Sequence, residues 1–243
     1  MTIFRGIALL ALGFAASGCD SKAASPPVPP AGGPGVNVSP ITRSIRTGPL
    51  DPSKSKKFDV EVIGEIRDCL REGCYSRDRL VEIFCEEKYL KGELDPKVVR
   101  ETVDRELAAL REEQKSWPKE TDCDRLSQVF QALNSIGVIA LENAGFDQGE
   151  GYEAVTKAMK NAREKEKISG YCFYHNQDLE RAVKGQGLYV AFGPIDPEKE
   201  ETAGPQVGKL VVQELERRGF KVKWNGKFNE RIFIEKLDLK KRI

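Results

Sequence analysis

Apolar residues recur at helical spacing through the first part of the chain that looks able to fold. Val62, Ile63, Ile66 and Leu70 form one stripe across Phe58–Gly73, and Gly73 stops it. Ser76 can cap a second helix over Arg77–Tyr89, with Leu80, Ile83 and Phe84 inward. Asp95-Pro96, a capping residue followed by proline at the first helical position, opens a third. Val99, Val103, Leu107 and Leu110 carry its stripe until Trp117-Pro118. Thr121 and Asp124 have the spacing of a capping box, with Asp in place of Glu. The helix they open buries Leu126, Val129, Phe130 and Leu133 and ends at Gly137.

Beyond Gly137 the pattern changes. Val138–Leu141 reads as a short apolar strand, followed by the loop NAGFDQGEG and a helix over Tyr152–Lys165 with a charged outer face. Residues 170–193, GYCFYHNQDLERAVKGQGLYVAFG, read as strand, polar turn, short helix, glycine turn and strand. Gly204-Pro205 begins another helix, with Val207, Leu210, Val211 and Leu215 inward and Gly219 past its end. Lys221–Trp224 and Arg231–Leu237 alternate as closing strands, with Asn225-Gly226 in their connection. This order predicts an α+β fold, with helices packed on a small, mostly antiparallel sheet. The expected division is a helical subdomain over 58–116 and an α+β domain over 117–243.

The first residues follow another logic. In MTIFRGIALLALGFAASGCD, Arg5 precedes an apolar run from Ile7 to Phe14 and then the small residues Ala15-Ala16-Ser17-Gly18. That is the layout of a signal peptide over 1–18, too short for a permanent membrane span. Ser17-Gly18-Cys19 resembles the lipobox of bacterial lipoproteins, although Ala16 stands where an aliphatic residue is usual. Lipidation of Cys19 is therefore expected, with the membrane as its partner and an extracytoplasmic address, on the periplasmic face in a Gram-negative cell. An ordinary signal peptide with Cys19 as a bystander is the competing reading. Asp20 resembles the inner-membrane retention signal of enterobacterial lipoproteins. The run SPPVPPAGGPGVNVSP then suits a disordered tether over 19–57, too rich in Pro and Gly for helix or sheet.

Charge narrows the partners. The net charge is +1 over 243 residues, and removing 1–18 takes Arg5 away and leaves 38 basic and 38 acidic side chains. Without a basic patch, nucleic acid is not an expected partner.

From Trp117 to Leu239 the chain resembles the DUF6891 family of uncharacterised bacterial proteins, on the pieces TDCDRL, GVIALENAGF, GYCFYHNQDLERAVKGQGLYVAFG and the closing W-N-G…R-I hairpin. The resemblance implies architecture but no activity. Some members of that family carry a cysteine-rich loop where this chain has Gly145-Phe146-Asp147-Gln148, so the resemblance implies no metal role here.

The candidate chemistry centres on His175, the single histidine. A Cys172–His175 pair could form a thiolate, but residues an odd number apart on a strand face opposite sides. His175 precedes Asn176-Gln177-Asp178 at a helix N-terminus, where free N–H groups can hold an anion. Plain capping by Asn176 or Gln177 explains the same residue types. The glycines of the 143–152 loop fit neither a phosphate-binding loop nor a dinucleotide fingerprint, and no cofactor is expected. The five cysteines after Cys19 include no CxxC, which argues against zinc. A disulfide between Cys69 and Cys85 is the leading pairing, with Cys74–Cys85 as its competitor.

These readings favour a non-catalytic, membrane-anchored binding module of the cell envelope. Its expected ligand or partner surface comprises His175, Gln177, Asp178, Arg181, Asn143, Asp147 and Tyr152. The alternative is a hydrolase or thiol-dependent enzyme using His175 with Asp178 or a cysteine.

Overall fold

The computed structural model describes residues 59–243. The expected signal peptide over 1–18, the expected lipidation at Cys19 and the expected tether over 19–57 lie outside the described residues.

Helix α1 (Val60–Glu72) starts where the Asp59 carboxylate accepts the N–H groups of Glu61 and Val62 at 3.1 and 3.2 Å. It stops at Gly73, whose φ of 62° suits the left-handed turn that closes a helix. Helix α2 (Arg77–Glu82) is capped by Ser76 as expected, but its continuation Ile83–Lys88 widens into a π-helix. The wider turn brings Phe84 and Cys85, adjacent in sequence, into the core together. Helix α3 (Pro96–Gln114) has Asp95 as cap and Pro96 at its first position. Val62, Ile66, Leu70, Leu80, Phe84, Val99, Val103 and Leu110 form one core shared by the three helices.

Helix α4 (Asp122–Ser135) carries the expected capping box. Thr121 Oγ1 accepts from the Asp124 N–H at 3.2 Å, and Asp124 Oδ2 accepts from the Thr121 N–H at 2.8 Å. Strand β1 (Val138–Leu141) follows. Helix α5 (Gln148–Asn161) begins four residues before the first apolar position read as helical, because Asp147 caps it by accepting the Glu150 N–H at 3.0 Å. Gly149 and Gly151 hid that turn from any propensity argument. Gly151 is required there, since a Cβ would lie 2.2 Å from the Phe173 ring. Strand β2 (Gly170–Phe173), helix α6 (Asn176–Val183) and strand β3 (Leu188–Pro194) match the expected order. Helix α7 (Glu200–Arg217) also starts early, running out of a short 3-10 turn and taking Pro205 inside it rather than at its first position. Strands β4 (Val222–Lys223) and β5 (Ile232–Ile234) close the fold.

The sheet order is β1-β2-β3-β5-β4, parallel between β1 and β2 and antiparallel elsewhere, so the chain is an α+β protein. Alternation along the strands decides which core each residue joins. On one face Val138, Ala140, Cys172, Leu188, Val190, Ile232 and Ile234 meet α4 and α7 through Leu126, Phe130, Leu133, Val211 and Leu215. On the other, Ile139, Tyr171, Phe173 and Ala191 meet Val155 and Tyr152 of α5. Among the described residues no helix is long and apolar enough to cross a membrane.

Helix α1 packs on α6, and the contact is polar at its centre. Asn176 Nδ2 donates to Glu72 Oε2 at 2.9 Å, and the Tyr75 hydroxyl donates to Asn176 Oδ1 at 2.7 Å. Glu72 and Asn176 are each 3% exposed. Burial pushes the Glu72 carboxyl up to about 7, although the Asn176 hydrogen bond pulls the other way.

Candidate functional site

The two parallel strands end side by side. Leu141 pairs with Phe173, so Asn143 and His175 each lie two residues past the last paired position of β1 and β2. Ligands of open α/β sheets gather at such ends because loops there supply polar groups without breaking the ladder. Asn143 turns the chain with a φ of 49°, and Ala144 N–H then donates to the Tyr174 carbonyl at 2.8 Å. The Asn143–Phe146 turn lies over the start of α6: Asn176 N–H donates to the Gly145 carbonyl at 3.0 Å and Gln177 N–H to that of Phe146 at 3.2 Å. Asp178 N–H donates to the His175 carbonyl at 3.0 Å. These three donors are spent within the fold, so the α6 N-terminus offers no free N–H cradle for an anion at these positions.

His175 and Asp178 are inside the protein, at 4% and 1% exposure, rather than on an exposed polar corner. Asp178 Oδ2 accepts the backbone N–H of His175 at 3.2 Å and lies 3.1 Å from its Nε2. Arg231 Nη1 comes within 3.3 Å of the same Nε2 and 3.2 Å of Asp178 Oδ1. Burial holds the His175 imidazole below its ordinary pKa, opposed by the Asp178 charge, and it pushes the Asp178 carboxyl up against the pull of Arg231. Nε2 can donate to Asp178 or accept from Arg231. His175 faces the Asp178 N–H in the arrangement of a capping box, but that N–H goes to the His175 carbonyl and Nδ1 stays buried without a hydrogen bond. Asn143 Oδ1 and Arg181 Nε are likewise buried and unpartnered.

Next to this cluster, Tyr189 and Phe233 pack against each other at 4.7 Å. The guanidinium carbons of Arg181 and Arg231 lie 5.4 and 4.8 Å from the Tyr189 ring centre.

The structure thus gathers His175, Asp178, Arg181 and Asn143 at one end of the sheet, and it separates the remaining candidates. Gln177 is exposed beside them and Asp147 is the α5 cap. Tyr152 sits on α5, not in a loop, and packs edge-on against Tyr171 and Phe173 at 5.9 and 5.3 Å. Cys172 points into the α4–α7 core, where burial drives its thiol far above the ordinary value. The expected Cys69–Cys85 bridge is not formed, and neither is its competitor Cys74–Cys85: all three thiols are free. Cys69 and Cys85 pack into the helical core as small apolar groups, and burial pushes the Cys69 thiol up to about 12.

Arg231, Tyr189, Phe233 and the Glu72–Asn176 contact were missed. The alternation of Arg231-Ile232-Phe233-Ile234 sets Arg231 and Phe233 off the apolar face, a signal that could have raised them. Nothing local in the sequence pairs Glu72 with a residue so far along the chain.

Among the described residues no group of three or more His, Cys, Asp or Glu side chains is placed to hold a metal ion. A cleft of about 500 Å³ walled by Leu70, Tyr75, Arg77, Asp104 and Arg111 is lined by none of the residues gathered at the sheet end. No curated protein and no solved structure matches the chain. Residues 55–243 match the family described as Domain of unknown function (DUF6891), which takes in the three N-terminal helices as well as the stretch from Trp117 onward, and the chain belongs to that family.

Proposed function

We propose that this chain is a lipid-anchored binding protein of the bacterial cell envelope, holding a small ligand or a partner at the end of its sheet without catalysis. One observation carries the binding reading. Asn143 Oδ1 and His175 Nδ1, at matched positions past two parallel strands, are both buried with no partner. Folded proteins rarely leave such atoms unpaired, and each costs about 1–3 kcal/mol unless something completes it. The arrangement favours binding over turnover because the nucleophile nearest in sequence, Cys172, lies in the core on the other face of the sheet. His175 and Asp178, the acid–base pair of the enzymatic alternative, are within reach of each other but turned inward.

The address rests on the signal-like first 18 residues, on Cys19 and on the Pro-rich run that follows. Metabolic labelling with a lipid precursor should mark the wild type and not Cys19→Ser; label retained by the variant would remove the anchor. For the site, the purified full-length chain in detergent is screened for small molecules that raise its unfolding midpoint. A stabilising ligand should lose its effect on His175→Ala and be recovered chemically unchanged. Its conversion to a product, read by mass spectrometry, would sink the non-catalytic reading.

A further inference from the structure

We propose that the sheet end binds the anionic group of a small molecule, a carboxylate or a phosphate, between Arg181 and Arg231, with the Tyr189 ring as its platform. This deepens the binding reading above and rests on it.

The argument begins with strand alternation. Ile232 and Ile234 of β5 and Leu188 and Val190 of β3 point into the α4–α7 core, so Tyr189, Arg231 and Phe233 face the other way. Helix α5 fills that second face over β1 and β2, but Tyr189 and Phe233 join none of the apolar cores. They remain half-buried, with Arg181 and Arg231 beside the Tyr189 ring.

Charge supplies the next step. Two guanidinium groups lie near one aromatic ring, and one carboxylate, Asp178, contacts Arg231. That carboxylate is 1% exposed and engages Arg231 through Nη1. Arg181 makes no ion pair among the described residues, and its Nε is buried without an acceptor. Two cations near one ring are unfavourable without anions between or beside them, and a buried guanidinium N–H without an acceptor adds to the cost. An anion between them relieves both. The planar fork of arginine matches carboxylate and phosphate oxygens in pairs, and stacking on Tyr189 fixes the forks before the ligand arrives. Less freedom is then lost on binding.

The test uses the full-length chain in detergent at constant ionic strength, titrated calorimetrically with inorganic phosphate and, separately, with succinate. One anion should bind at a single site, and which one does so assigns the ligand chemistry. Arg181→Ala should weaken it about tenfold or more. Arg231→Lys keeps a positive charge for Asp178 but loses the fork, and should weaken it several-fold. Tyr189→Phe keeps the ring and should bind nearly as well as wild type. Equal binding by wild type and Arg181→Ala, with circular dichroism showing both folded, would overturn the assignment. If neither anion binds while a screened ligand still stabilises wild type and not His175→Ala, the anion claim falls and the binding reading stands. If the screen fails as well, both fall.

Discussion

His175 and Asn176 are neighbours in the chain, yet each organises a different buried polar cluster. Asn176 joins Glu72 and Tyr75 where α1 meets α6, and its side-chain oxygen and nitrogen both have partners, at 2.7 and 2.9 Å. His175 joins Asp178 and Arg231 at the sheet end, and that cluster leaves His175 Nδ1, with Asn143 Oδ1 and Arg181 Nε near it in the fold, without partners. A completed network fixes the position of one element against another, and it has no capacity left for a ligand. An incomplete one costs stability until a ligand, an ordered water or an ion completes it. By that difference the Asn176 cluster is a joint and the His175 cluster a site.

The sharpest way to break the comparison is Asp178→Ala. It strips Arg231 and the His175 N–H of their shared carboxylate, and should cost about 4 kcal/mol in urea unfolding. A loss below about 1 kcal/mol would mean the cluster is already open to water.

The joint is tested by pH. The folded-state pKa of Glu72, about 7, is raised above its ordinary 4.5, so the protonated form is favoured in the folded protein. The stabilising difference is therefore full below pH 4.5 and is lost as pH rises through 7. Glu72→Gln should match wild type near pH 4.5 and exceed its stability by about 3 kcal/mol above pH 7.5, read as the difference between two urea series. A difference that stays flat with pH would show that Glu72 is hydrated in the folded state.

Asn176→Ala leaves the Glu72 carboxyl and the Tyr75 hydroxyl unpaired and should cost about 2 kcal/mol with little change in anion binding. Arg181→Ala is the converse. Without an ion pair to lose, it should alter stability by less than about 1 kcal/mol while abolishing most of the phosphate or succinate affinity. A joint that loses ligand, or a site that loses only stability, would erase the distinction.

Much of this fold was legible where a decision is local. The Asp95-Pro96 start, the Thr121–Asp124 box and the Gly73 stop each need only a few adjacent residues, and all three stand as read. Starts that lacked an apolar residue were misplaced: α5 opens on Asp147 because its cap and the Phe173 ring over Gly151 outweigh two glycines. Helix α7 runs through Pro205 for a related reason, since the turn at Pro197–Lys199 feeds it before the apolar stripe begins. The π-turn at Ile83–Lys88 has no signature in residue type. Of the expected site, His175, Asp178 and Arg181 were found by their place between strand and helix, but Arg231 lies more than fifty residues away and required the β3–β5 pairing.

The sequence by itself determined where most helices and strands form, which sides of the strands are apolar, and that Cys172 and His175 would face opposite sides of any strand that ran through both. Those outcomes follow from dihedral preference, capping and alternation, which act over a few residues. Tertiary structure alone decided that His175 and Asp178 are buried, that Asn176 rather than a free helix end meets α1, and that Arg181 and Arg231 both come to lie near the ring of Tyr189. Burial and charge pairing depend on which distant segments share a volume, and no local pattern encodes that.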